Sequence, residues 1–321
     1  MGDGDRILVA GDTLVDFVPE TPGPPGEAGG YRPKFGGSAA NVALALERFG
    51  LPPLFWTRLA TDDFGDFLRA HLADSAIPDD LIVTDPGART TLAVVSHDED
   101  GDRSFRFYRD RGAGTRLETG GVPDGTLADC GWVHTTGVVM SVEPSRSATL
   151  ELQERATDAT VSLDPNWRPE MWESRHEFAA VIKGALDAVD VLKATPGDLA
   201  AAGFETPEPG ALAEEVAARG PHTVLLTLGG EGAFCYGTER SPVPGRARHP
   251  GYDVETVDTT GAGDAFLAGC LGALTGGVDS PERVLALGNA AGAVATTQAG
   301  AVSALTGLER LREFHDDIPW V

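Results

Sequence analysis

Lysine, cysteine and methionine each occur only three times in the 321 residues, and the scarcities exclude several classes of protein. Cys130, Cys235 and Cys270 are odd in number, scattered and without metal spacing. That excludes a disulfide scaffold or a zinc cluster and reads as small buried hydrophobes in a reducing compartment. No apolar run approaches the ~20 residues of a membrane span, and no charged-then-apolar leader opens the sequence. The chain is therefore expected to be cytoplasmic, without a membrane partner. None of Lys34, Lys183 and Lys193 follows a glycine, so a Gly-Lys-Ser/Thr phosphate loop is absent. Basic residues number 25 against 49 acidic, a formal net charge of −24. No basic patch survives to neutralise phosphates, which argues against nucleic acid. The acids are dispersed, and such self-repulsion is screened when salt is abundant; this reads as the surface of a halophile's protein.

What is present is the composition of a soluble globular protein, 41% hydrophobic. The length allows one large α/β domain or two ordinary ones. No repeat, low-complexity tract or interdomain linker divides it. Arg6 to Phe17 predicts a buried strand running into a polar turn. From Leu54 the rhythm is strand then helix: strands at Leu54–Ala60, Leu81–Thr84, Gly131–Gly137, Ala159–Asp164, Ala188–Lys193 and His222–Leu228, with a final helix over Arg283–Thr297. Repeated βα units imply a mostly parallel sheet covered on both faces. A basic hairpin, Thr90–Ser96 and Arg103–Arg109 joined by His97–Asp102, interrupts the rhythm and suggests a flap over a site. Alternation puts Phe105, Phe107 and Arg109 on one of its faces.

The chain appears organised around Asp258-Thr259-Thr260-Gly261-Ala262-Gly263-Asp264-Ala265-Phe266, between a strand-like run (Tyr252 to Val257) and an apolar helix. Small residues let a ligand approach the backbone, and unpaired first-turn amides together with the positive helix end favour phosphate. Asp264 lies in that field, so its carboxylate is expected to stay ionised and able to accept a proton. The combination suggests phosphoryl transfer to a hydroxyl; the plainer alternative is a tight turn with Asp264 as a helix cap. A dinucleotide fingerprint fails, because Gly261 and Gly263 are followed by Phe266 instead of a third glycine.

Two further candidates lie near the start. Asp16, just past the first strand, sits where open α/β sheets bind ligands; it is either a contact for sugar hydroxyls or a solvated turn residue. Gly36 and Gly37 precede a helix read as capped by Ser38 and ended by Gly50. Asn41, polar within an Ala/Val/Leu run, faces either a polyol in a pocket or solvent.

Taken together, the Gly-Gly-x-x-x-Asn-x-Ala segment at Gly36–Ala43 and the Asp-Thr-x-Gly-Ala-Gly-Asp segment at Asp258–Asp264 closely resemble the ribokinase-like (PfkB) family of sugar kinases. The resemblance covers nearly the whole chain and is strongest for the fructokinase-like branch. It implies a three-layer α/β/α sandwich, a single domain over 1–321, with a discontinuous β lid at approximately 13–35 and 89–111. It also implies MgATP-dependent phosphorylation of a sugar hydroxyl. By that resemblance Asp264 is the catalytic base, and the amides of Gly261, Ala262 and Gly263 form the anion hole. Asp16, Gly37 and Asn41 match sugar contacts; Lys193, Thr227, Gly229, Gly232 and Asn289 match the ATP side. Asp258 and the Thr260 carbonyl correspond to a monovalent-cation site for K⁺, with Ser303 a displaced supporting hydroxyl. In many relatives the lid also forms a homodimer interface.

The sequence departs from the family where an Asn-x-x-Glu motif is tied to magnesium. Here it reads Lys193-Ala194-Thr195-Pro196-Gly197-Asp198, with Pro196 in place of the acid and Asp198 as its candidate substitute. For the sugar, Phe107-Tyr108-Arg109, the Asp164–Pro169 turn and Lys193 look most like fructokinases. In 2-keto-3-deoxygluconate kinases a similar pattern holds a carboxylate; Arg109 and Arg168 could do so here, or could simply pair with surrounding acids. A purine-nucleoside kinase and, from another class, a non-catalytic sugar or nucleotide sensor on the same fold are the remaining alternatives.

Overall fold

The computed structural model describes residues 6–21, 23–24, 27–97, 103–301, 303–305 and 307–321. Thirteen strands are named: β1 (Arg6–Ala10), β2 (Leu14–Pro19), β3 (Tyr31–Gly36), β4 (Leu54–Ala60), β5 (Ile82–Asp85), β6 (Leu92–His97), β7 (Arg103–Tyr108), β8 (Cys130–Thr136), β9 (Thr160–Asp164), β10 (Val191–Ala194), β11 (Thr223–Thr227), β12 (Ala233–Gly237) and β13 (Gly245–His249). Nine of them form one sheet, in the order β13-β12-β11-β10-β9-β8-β1-β4-β5. From β11 to β5 every neighbouring pair is parallel, and only β12 runs the other way, antiparallel to both β11 and β13. The central strands are buried along nearly their whole length, as their unbroken apolar sequences require when helices cover both faces.

The two faces carry two cores. One packs Val9, Phe55 and Val191 under the helices Ser38–Arg48, Ala262–Thr275 and Pro281–Ala295. The other packs Leu8, Val133 and Leu192 under Ser145–Arg155, Arg175–Ala185 and Pro209–Ala217. Odd and even residues of one strand thus serve opposite cores, the period-2 rule applied to a three-layer sandwich.

A second sheet, in the order β3-β2-β6-β7, is the flap. Its strands lie within the expected lid ranges, with β3 running one residue past 35. Ser96 and Ser104 still pair across β6 and β7; the hairpin turn at 98–102 lies outside the described residues. The polar turn expected at the end of Arg6–Phe17 is instead largely strand: Leu14–Pro19 is an inner strand of this sheet, paired with β3 and β6. The strand expected at Tyr252–Val257 is not formed. There Val257 and Asp258 donate their N–H groups to the Thr296 carbonyl, so the segment's end is tied to the far end of a helix and joins no ladder.

Candidate active site

The carboxyl ends of β1, β9, β10 and β11 open onto a cleft of about 870 Å³, where open α/β sheets bind ligands and at the upper end of small-molecule pocket volumes. The glycine turn forms one wall. Gly261 caps the following helix with φ +74°, a left-handed conformation that side chains resist. At Gly263 an added Cβ would lie 2.8 Å from Lys193 Nζ, so the missing side chain lets an ammonium reach the helix start. Ala262 spends its N–H on the Thr259 carbonyl (3.2 Å), whereas among the described residues neither Gly261 nor Gly263 donates to a backbone carbonyl. Two of the three expected amides are therefore open to an anion.

Asp264, in the first turn of that helix, is buried. Ser38 Oγ donates to its Oδ1 and Asn41 Nδ2 to its Oδ2, each at 2.8 Å. Burial pushes its pKa up to about 6, against the opposing pull of Lys193, Asn41 and Ser38. The sequence expectation that Asp264 stays ionised in the helix field meets an opposing effect, because burial raises its pKa to about 6.

Lys193 was missed as a partner for Asp164. Its Nζ donates to Asp164 Oδ2 at 2.7 Å, and both side chains are almost wholly buried. Burial opposes charge on this lysine, but Asp164, Asp264 and Asp198 outweigh it, and its pKa is raised. The same ammonium, after burial itself, helps push His134 down to about 3. A fixed positive charge therefore stands between the glycine turn and β9.

Ser38 is not the helix cap. Gly37 occupies that position without a side-chain bond, and Asp12, 26 residues earlier, accepts the N–H groups of Ser38 and Ala39 at 3.2 and 3.3 Å. Ser38 is already helical, which frees its hydroxyl for Asp264. Asp12 went unnoticed in the sequence although the signal was the one used for Asp16, an acid just past a strand end.

Asp16 lines the cleft together with Gly37, Asn41, Phe107 and Arg168. Its pKa is raised to about 7, first by burial and then by Asp12, Asp258 and Asp264, with Arg168 opposing. Asn41 Oδ1 is buried without a partner among the described residues, an acceptor left over beside the base. Thr227, Gly229, Gly232 and Asn289 line the same cleft; Asn289 anchors its amide on the Leu285 carbonyl at 2.7 Å. Tyr252, which the sequence did not single out, lines it too.

Three expected residues are placed elsewhere or otherwise engaged. Arg109 does not enter this cleft: β7 ends at Tyr108, and the guanidinium donates to Ser141 Oγ (2.8 Å) and to the Met171 carbonyl. Asp198 closes a capping box with Thr195 and accepts the Trp167 N–H, so most of its acceptor capacity is spent. Asp258 sits beneath the turn, accepting N–H bonds from Thr260 (2.7 Å) and Gly300 (2.9 Å) and joining the two loops proposed for a cation. Among the described residues no group of three His, Cys, Asp or Glu side chains is placed to hold a metal.

The crowding of carboxylates has a measurable cost. Asp16 has its folded pKa raised from 3.8 to about 7; its contribution to stability is present below 3.8 and lost as pH rises through about 7. Asp16→Asn is therefore expected to stabilise the ligand-free protein by about 2–4 kcal/mol above pH 7, at roughly 1.4 kcal/mol per pKa unit. The gain should shrink towards zero near pH 4, measured by urea melts across that range. An equal effect at both ends would show that burying the charge is not what Asp16 costs.

A model of the pfkB family of carbohydrate kinases matches residues 5–306. The fructokinase of Vibrio alginolyticus is 32% identical over 317 residues, 96% of this chain and 98% of the relative. The crystal structure of fructokinase with bound ATP from Xylella fastidiosa is 28% identical, with a TM-score of 0.84 over 97% of this chain and 98% of that one. A fructokinase double mutant from Vibrio cholerae O395, solved in its fructose, ADP and potassium ion bound form, is 30% identical, with a TM-score of 0.80 over 98% and 99%.

Proposed function

The chain belongs to the pfkB family of carbohydrate kinases, and we propose that within it the protein is a fructokinase, transferring the γ-phosphoryl of MgATP to a hydroxyl of fructose. The observation that carries the reading is the seating of Asp264: a buried carboxylate gripped by Ser38 and Asn41, at a helix start where the missing side chain of Gly263 leaves room for Lys193. The sugar is supported by the full-length likeness to fructokinases, one of them holding fructose, ADP and potassium.

The chemistry follows from these positions. A sugar hydroxyl is a weak nucleophile, so Asp264 takes its proton as the oxygen attacks the γ-phosphorus. The new P–O bond forms, the bond to the β-phosphate oxygen breaks, and ADP leaves with that electron pair. Charge on the moving phosphoryl is met by the Gly261 and Gly263 amides and by Lys193; Ala262 would have to release Thr259 to add a third amide. Mg²⁺, when bound with the nucleotide, neutralises further phosphate charge. Asp16, Gly37 and Asn41 hold the sugar, with Phe107 against it, while Thr227, Gly229, Gly232 and Asn289 bed the nucleotide. The lid sheet excludes water, which would otherwise compete as acceptor.

Asp258 and the Thr260 carbonyl are our candidates for K⁺, on a loop junction that Asp258 already ties together. We take residues 1–321 as one kinase domain with a discontinuous lid. The lid edge, where Tyr108 is 58% exposed, is the surface on which a second copy would pair.

The keto-acid reading loses support at Arg109, whose guanidinium is engaged by Ser141 and the Met171 carbonyl, while Arg168 still lines the cleft. An ADP-release assay in molar KCl with fructose, 2-keto-3-deoxygluconate, ribose, glucose and adenosine separates the readings. Turnover is expected with fructose; turnover with the keto acid alone would replace the substrate, and silence from folded protein would favour a sensor.

A further inference from the structure

Asn166 follows β9 in the turn Asp164-Pro165-Asn166 and has φ +44°, a left-handed conformation that costs a non-glycine residue on the order of 1 kcal/mol and that asparagine tolerates best. The backbone is held there by its own N–H, which donates to Asp164 Oδ1 at 3.0 Å. From this position the side-chain amide reaches two oxygens: Ser38 Oγ at 3.1 Å and Asp164 Oδ2 at 3.5 Å. Asp164 is also the partner of Lys193. An ionised carboxylate only accepts hydrogen bonds, so it turns the NH₂ end of Asn166, a pure donor, towards itself and Ser38.

The consequence falls on Ser38. Its oxygen accepts from Asn166 Nδ2, and its single proton is then directed at the remaining acceptor, Asp264 Oδ1, 2.8 Å away. The direction of that bond is set, because a hydroxyl has one hydrogen and its other neighbour can only donate. A bond donated to the ionised form of a carboxylate favours that form. The chain Lys193, Asp164, Asn166, Ser38, Asp264 is therefore a continuous run of oriented hydrogen bonds from the phosphoryl side of the cleft to the base.

We propose that Asn166, acting through Ser38, is a positioning residue that aims a hydroxyl proton at Asp264 and so holds the base ready to take the sugar's proton. The proposal rests on the reading of Asp264 as the base. Asp264 also faces Asn41 from its own wall of the cleft, Lys193 from β10, Asp164 from β9 and Asp16 from β2. Asp16 titrates nearby, at about 7, raised first by burial and then by Asp12, Asp258 and Asp264, with Arg168 opposing. The readout is therefore kcat at saturating fructose and MgATP, where the sugar occupies Asp16 and only the central complex titrates.

The test is the pH dependence of kcat from 5 to 9 for the unmodified enzyme, Ser38→Ala, Asn166→Gly and the double variant. Glycine accepts the +44° backbone, so Asn166→Gly removes the amide without straining the turn, and Ser38→Ala keeps the helix that Asp12 caps. Ser38→Ala should raise the acid-side midpoint by about one pH unit, the size of one hydrogen bond to a charged acceptor, with kcat recovering to within about threefold at pH 9. Asn166→Gly should move it the same way by less, and the double variant no further than Ser38→Ala, since Asn166 works through the hydroxyl. Midpoints that stay put while kcat drops evenly at all pH, or shifts that add in the double variant, would overturn the relay alone. An Asp264→Asn enzyme that keeps the unmodified profile would overturn the base reading and this inference with it.

Discussion

Replacing Asp264 by asparagine is expected to lower kcat for sugar phosphorylation by about 10²–10⁴-fold, the range supplied by a positioned general base, with little change in nucleotide affinity. The substitution is close to isosteric and sits under the donors Ser38 and Asn41. It leaves the glycine turn, Lys193 and the strand-end residues that line the nucleotide side untouched. Stability should not fall with activity. The folded pKa of Asp264 is raised to about 6, so the ionised carboxylate costs the ligand-free fold stability above that pH. Removing the charge offsets the mismatch of the new amide against Asn41. Steady-state kinetics at pH 8, with nucleotide binding followed by calorimetry, checks both halves. A loss under tenfold would remove Asp264 from the role of base.

The second large effect is expected at Lys193, and it should split into two parts that can be separated. Lys193→Met leaves Asp164 buried without its partner; breaking one side of such a pair typically costs about 3–5 kcal/mol. It also removes the cation beside Gly263, a loss comparable to deleting one oxyanion donor, about 10²–10³-fold in kcat. Lys193→Met/Asp164→Asn removes both charges, so urea melts should show much of the stability restored while kcat stays low. Recovery of kcat together with stability would mean that Lys193 holds the site in shape and does not meet the phosphoryl group. Arginine is not expected to substitute, because Nζ already lies 2.8 Å from where a Cβ on Gly263 would stand and a guanidinium needs more room.

Local patterns in the sequence carried most of the frame. Strand β4 has the predicted limits, and the others shift by a few residues, because an apolar run marks a buried parallel strand wherever it lies. Asn41 was legible as a polar residue inside an apolar helical run. What escaped were relations between distant residues. The capping rule saw Ser38 after two glycines but could not see Asp12 reaching the same helix from the end of β1. Alternation put Arg109 on the face of Phe107, yet the strand stops at Tyr108 and the guanidinium swings to Ser141. Tyr252–Val257 looked like a strand leading into the glycine turn, but β12 and β13 already extend that side of the sheet, and the segment instead hangs on Thr296. The turn at Pro165-Asn166 was legible, since proline followed by asparagine suits a turn with positive φ, but the reach of the Asn166 amide to Ser38, 128 residues away, was not.

The measurement that bears most directly on this account is the count of both products from fructose. With MgATP in molar KCl at pH 8, we predict equal amounts of ADP and fructose phosphate, and almost no ADP when fructose is left out. ADP released without sugar phosphate, or no turnover from demonstrably folded protein, would contradict the assignment of the Asp264 cleft as the place where a sugar hydroxyl is phosphorylated.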